Sequence, residues 1–260
     1  MSEVFFEILS PLPLNSREDA RKLFNIWAES APQFFPDRCG FHEPLRQEFS
    51  LASMDEALRS WDFQFLLKRL ASPKLEAGVL MQYGPHRKHA TWTIGLQRLR
   101  DFEQTSFCNL LRRSAAILTP DFGLIHHTTE AETARGQENG SITFLNRSKT
   151  RKNLFVTTHI LRKYVPDIYW TTLFGEPYVQ LFSREKLLSA PAHRVEELEN
   201  GSVVIQLTPD LNDTVTDEIA FESVRQAVRD HLDSDAIFDQ KRGAEYRYKV
   251  PEFVWGPVLH

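Results

Sequence analysis

Residues 152–191 read KNLFVTTHILRKYVPDIYWTTLFGEPYVQLFSREKLLSAP and carry the densest aromatic and proline punctuation of the 260-residue chain. The spacing predicts two helices joined by an aromatic corner. Leu154, Thr158, Leu161 and Val165 fall on one face of a helical wheel, and Pro166 ends that helix by disfavouring the helical region for Val165. Glu176 and Pro177 open the second helix, where a proline in the first turn loses no intrahelical bond. Tyr178, Leu181, Phe182, Glu185 and Leu188 follow at helical spacing, and Pro191 closes the segment. Between the helices, Ile168, Tyr169, Trp170, Leu173 and Phe174 are too many large apolar groups to leave in water, each being worth about 1.5–3 kcal/mol when buried. Gly175 suits a positive φ or a close backbone approach, and a tight structural corner is favoured over a ligand-gripping turn.

The run YWTTLFGEPYVQLFSREKLLSAP, followed by HRVEELENGSVVIQLTPD, resembles a block of the bacterial toxin immunity proteins of the immunity protein 52 kind. The matching residues are Trp170, Phe174, Gly175, Pro177, Tyr178, Leu187, Leu188, Ser189, Ala190 and Pro191. A second match, Pro36, Gly40, Glu43, Pro44 and Leu45, lies nearer the start, and Ser183 stands where the pattern has glycine. The two blocks cover about a third of the chain. The resemblance implies a protein that binds and occludes a cognate toxin domain in interbacterial competition. It supplies no catalytic set.

Composition is that of an ordinary globular protein, with 42% hydrophobic and 25% charged residues, and a chain this long buries about 70–75% of its unfolded surface. The formal net charge of −4 argues against nucleic acid as a partner. Cys39 and Cys108 have no metal-finger spacing and read as reduced thiols. The N-terminal apolar run is broken by Glu7, Pro11 and Pro13, and no stretch is long enough to cross a membrane, so neither a secretory signal nor a membrane partner is expected, and the cytoplasm is the expected compartment.

In chain order, Glu3–Leu9 reads as a strand with Val4, Phe6 and Ile8 on one face, and Ser16 caps a helix with Leu23, Phe24 and Trp27 inward. Residues 31–44 read as irregular, with His42 and Glu43 assigned to turn chemistry. Ser53–Leu70 reads as a helix that Ser53 and Glu56 cap, with a break near Asp62. Glu76–Tyr83 and His89–Gln97 form a hairpin, Asp101–Leu118 a helix, and Phe122–Thr128 a strand. Thr129–Ser141 reads as a loop, Ser141–Leu145 as a short strand, and Arg147, Lys149 and Arg151 as solvated surface. His193–Leu198 and Ser202–Leu207 pair around Asn200-Gly201, where both turn residues tolerate positive φ. Thr216 caps a last helix with Ile219, Ala220, Val224, Ala227, Val228 and His231 inward. The aromatic tail 239–260 docks on the body, because four free aromatics would invite aggregation. The whole predicts one α+β domain over residues 1–260 with a mostly antiparallel or mixed sheet.

His126 and His127 are the best metal or acid/base candidates, although neighbours on a strand face opposite ways and the spacing matches no ligand motif. No nucleophile elbow, phosphate loop, dinucleotide fingerprint or zincin helix occurs. The expectation is therefore a non-enzyme without catalytic, metal or cofactor residues, a hydrolase using His126 or His127 being the alternative. A structural subunit of a larger assembly is the third reading, and a homodimer stays open. Glu196, Glu197, Glu199, Asp210 and Asp213 are the candidate partner-facing rim, set against the plainer reading of a solvated hairpin and loop.

Overall fold

A computed structural model describes residues 4–84, 87–96, 103–129, 132 and 156–255. Ten strands run through it: β1 (Val4–Ser10), β2 (Arg38–Gly40), β3 (Gln47–Glu48), β4 (Gln64–Arg69), β5 (Leu75–Leu80), β6 (Ala90–Leu96), β7 (Phe122–His127), β8 (Thr171–Phe174), β9 (Arg194–Glu197) and β10 (Val203–Gln206). They make one antiparallel sheet in the order β3-β2-β4-β5-β6-β1-β7-β8-β10-β9. The helices are α1 (Arg17–Ser30), α2 (Met54–Ala57), α3 (Gln104–Leu118), α4 (Thr158–Leu161), α5 (Glu176–Phe182), α6 (Arg184–Leu188), α7 (Asp213–Thr216) and α8 (Glu218–Leu232). The class is α+β, as the interleaved pattern predicts.

β1 is central because both its faces are apolar, and all seven of its residues are buried. Opposed residues of an antiparallel pair share a face, so Val4, Phe6 and Ile8 stand with Leu96, Ile94 and Trp92 of β6 and with His127, Ile125 and Gly123 of β7. α1 and α3 cover this face. Phe6 meets Trp92 at 5.1 Å and Phe107 at 6.0 Å, and Trp27 meets Trp92 at 5.4 Å between ring centres. Phe5, Glu7 and Leu9 look the other way, with His126, Leu124 and Phe122. α1 starts as expected, with the Asp19 N–H donating to the Ser16 hydroxyl at 3.0 Å.

The organising segment is built differently from the two-helix expectation. Within the described residues its first helix is the single turn α4, capped by Thr157. The expected corner contains β8, an interior strand whose four residues are all buried between β7 and β10. Thr171 and Leu173 face one side of the sheet and Thr172 and Phe174 the other, so burial on both faces hides the alternation that marks a half-wet strand. The second helix breaks at Ser183, which has φ 71° and caps α6 through its hydroxyl. The break resets the helical phase, so Leu187 is buried and Leu188 exposed. Of the matched residues, Trp170, Phe174, Gly175, Pro177 and Tyr178 are buried, whereas Pro191 is exposed.

Other differences have similar causes. Ser53–Leu70 holds only α2 and a 3₁₀ turn, Leu58–Ser60, before β4; Phe65 and Leu67 point into the core with half-buried neighbours between them. No side-chain cap forms at Ser53. Residues 31–44 include β2 and a 3₁₀ turn. In the β9–β10 turn Gly201 alone takes positive φ, 80°. Asp217, not Thr216, caps α8, and the buried stripe is Phe221, Arg225, Val228 and Leu232, with Ile219 87% exposed. The described part of the tail packs on the body: Phe253 lies 6.1 Å from the Tyr178 ring, Tyr248 lies 5.4 Å from the Tyr164 ring, and Lys249 pairs with Asp233 at 2.8 Å. The expected strand Ser141–Leu145, the basic run Arg147–Arg151 and most of the Thr129–Ser141 loop lie outside the described residues. Cys39 and Cys108 are buried free thiols, and burial pushes Cys39 up to about 11.

Candidate functional site

His126 and His127 leave β7 on opposite faces, as alternation requires. His126 Nδ1 accepts the Trp170 backbone N–H at 3.2 Å, which places the ring proton on Nε2, and that nitrogen lies 3.1 Å from both carboxylate oxygens of Glu132. Glu132 also accepts the Thr129 N–H at 2.9 Å and an Arg225 N–H at 2.7 Å. Arg225 reaches Asp167 at 3.2 Å, and Arg229 holds the same carboxylate at 2.5 Å and Glu222 at 2.8 Å. One connected network thus ties β7, the segment before β8, and α8 together. Burial acts to raise the Glu132 carboxyl, but the His126 ring, the Arg225 guanidinium and the Thr129 N–H outweigh it and hold the group well below the usual range. Asp167 is likewise lowered, its burial outweighed by Arg225 and Arg229.

His126 therefore has both ring nitrogens committed to holding the fold. His127 is the reverse: 1% exposed, with no hydrogen-bond partner at either nitrogen among the described residues. Burial, then the neighbouring His126, pushes it down to about 4, so the ring is neutral at physiological pH. Among the described residues no group of three His, Cys, Asp or Glu side chains could hold a metal ion.

A second polar knot has no sequence signature. His89 is fully buried; its Nε2 lies 3.0 Å from Asp121 and its Nδ1 3.0 Å from the Thr158 hydroxyl, which also accepts the His89 backbone N–H at 3.1 Å. Phe253 and Trp255 roof the ring edge-on at 5.3 and 4.8 Å. Thr158, His89 and Asp121 are in relay order, yet the hydroxyl is shared with backbone and the ring is sealed by the tail. The knot staples the start of β6, the start of β7, α4 and the tail.

The acidic rim has partners inside the chain. Glu196 is held by Arg112 and by Arg194 at 2.6 Å, and Glu197 by Arg184. Asp210 accepts the Asn212 N–H at 2.8 Å and Asp213 the Asp210 N–H at 3.4 Å, both local turn contacts. Glu199 is exposed at the hairpin tip.

At the opposite end of the sheet, an aromatic row is open to solvent. Phe41 packs on Phe63 at 4.8 Å and Phe63 on Tyr83 at 5.9 Å, with Phe63 37% and Tyr83 66% exposed. The row had no signal in sequence, because its members come from three separated segments that only the pairing of β2, β4 and β5 brings together.

No known family model matches the chain, and no curated protein matches it. Among solved structures it is similar in fold to the Pseudomonas aeruginosa T6SS protein PA0821, at 11% identity, with a TM-score of 0.50 over 88% of this chain and 73% of that one. Among the described residues, no helix is long and apolar enough to cross a membrane.

Proposed function

We propose that this protein is a binding protein of interbacterial competition that neutralises a cognate toxin domain by covering it, without chemistry of its own. The observation that carries this reading is the likeness in fold, over 88% of the chain, to a T6SS protein, and the Trp170–Pro191 block that resembles toxin immunity proteins agrees with it. The polar clusters support it too: His126 and His89 spend their ring nitrogens on internal partners. We assign the contact to the aromatic row, with Phe63 and Tyr83 as anchors, since exposed rings beside the ends of paired strands supply contact area at low entropic cost.

The test is co-purification of this chain with the toxin-like domain encoded beside its gene, together with growth of cells expressing both. A stoichiometric complex that restores growth, and is lost on combining Phe63→Ala with Tyr83→Ala in a folded protein, is expected. Growth arrest undiminished by this chain, with no complex, overturns the reading.

A further inference from the structure

β9 is an outer strand of the sheet, with β10 as its one neighbour among the described residues. An outer strand presents unpaired backbone groups, and natural proteins commonly guard such edges with charge. The charges on β9 have a pattern that guarding alone does not call for. Along His193-Arg194-Val195-Glu196-Glu197 the basic and acidic groups are placed symmetrically about Val195. Arg194 and Glu196 lie on the sheet face of their partners Gln206 and Val204, while Val195 and Glu197 lie on the other.

The geometry points to a second copy of this chain pairing antiparallel along β9, with a two-fold axis through Val195 perpendicular to the sheet. Such an axis preserves the faces, so only registers centred on a residue are allowed. Centring on Arg194 sets that arginine against itself, and centring on Glu196 or Glu197 opposes two identical carboxylates. Centring on Val195 opposes Arg194 to Glu196 of the second copy, and His193 to Glu197 of the second copy. By symmetry each contact occurs twice. This is the one register near the strand's middle in which every charged group meets its opposite.

On β9 and directly beside it, Val195, Ala192 and Leu198 are half-buried apolar groups. Within one chain Arg194 pairs with Glu196 at 2.6 Å, but 57% of its side chain is exposed, so it can turn to Glu196 of the second copy while Arg112 keeps its own Glu196. The other outer strand, β3, has only Gln47 and Glu48 and offers no such match. Pairing through β9 leaves the aromatic row at the two far ends of a continuous sheet, and it does not depend on the function proposed above.

Sedimentation velocity over a concentration series tests the pairing. The wild-type chain should form a reversible dimer. Arg194→Glu and His193→Glu should each weaken it at least about tenfold, since each turns two symmetric attractions into repulsions. Glu196→Arg should weaken it likewise, and an equimolar mixture of Arg194→Glu with Glu196→Arg should associate again. Should Glu196→Arg fail to fold beside Arg112, the mixture of His193→Glu with Glu197→Lys gives the same readout. A monomer at all concentrations, a dimer indifferent to both Arg194→Glu and His193→Glu, or folded mixtures that stay apart would each overturn the proposal.

Discussion

The Gly175 N–H donates to the Asp121 carbonyl at 2.9 Å, and a methyl group added at Gly175 would stand 1.9 Å from the carbonyl oxygen of Pro120. Gly175 has φ −81°, so the need for glycine there is one of space and not of dihedral freedom. The contact joins the end of β8 to the turn that starts β7, and Asp121 in that turn also binds His89. Gly175→Ala must move backbone against backbone, and should cost at least about 3 kcal/mol in chemical denaturation, at the upper end for a single methyl group. An unchanged midpoint would show that the turn gives way freely.

Arg225 is almost fully buried, with its side chain 4% exposed, between Glu132 and Asp167. Removing it leaves two half-buried carboxylates without their shared cation, Asp167 keeping Arg229 and Glu132 keeping His126, so Arg225→Met should destabilise the protein by about 3 kcal/mol, the lower end for a broken buried pair. The loss should be smaller at acid pH. Both carboxyls have lowered folded values, so their stabilising contribution is present above the unfolded value and disappears as pH falls through the folded one. Urea titrations of the wild type and the variant at neutral and acid pH check this, the two curves being expected to converge at low pH.

How much of this was readable beforehand follows from what periodicity can see. α1 and α3 announce themselves because each has a wet face and a dry one, and β6 because Trp92, Ile94 and Leu96 alternate with less buried Thr93 and Gly95. β8 was read as a corner because Thr171–Phe174 is dry on both faces. β4 was absorbed into a helix because Trp61, Phe65 and Leu66 satisfy helical spacing as well as Phe65 and Leu67 satisfy a strand. In α8 the stripe was misphased for an instructive reason: the true spacing, Phe221, Arg225, Val228 and Leu232, is regular but contains an arginine. A buried arginine makes sense only once Asp167 and Glu132 are known to face it, and these lie 58 and 93 residues away in the chain. The His89–Asp121 contact spans 32 residues and was equally invisible.

Glu7 lies at the centre of the sheet, with one carboxylate oxygen accepting the Val156 N–H at 2.9 Å and the other without a hydrogen-bond partner among the described residues. Burial raises its carboxyl well above the usual value, only partly offset by the Val156 bond. A raised folded value means that stability is fully present below the unfolded value and is lost as pH rises through the folded one. Glu7→Gln keeps the shape and cannot ionise. It should match the wild type near pH 4 and surpass it progressively on the alkaline side, measured as melting temperature against pH; parallel profiles would show that the Glu7 carboxyl ionises equally readily in the folded and the unfolded chain.

His127 offers the sharpest separation of a chemical role from a structural one. Its ring is buried beside Val4 on the face covered by α1 and α3, with no partner at either nitrogen among the described residues and a value pushed down to about 4. A base with a lowered folded value destabilises the protein as pH falls below the unfolded value, because the unfolded chain then takes up the proton first. His127→Leu removes two polar atoms that lack partners among the described residues, at nearly constant volume, and should raise stability by about 1–3 kcal/mol while leaving the proposed toxin binding intact. The gain should widen between pH 6.5 and 4, the window between the ordinary and folded values. If the proposed toxin neutralisation is present in the wild type and lost in a folded, stabilised His127→Leu protein, those ring nitrogens are kept for a ligand.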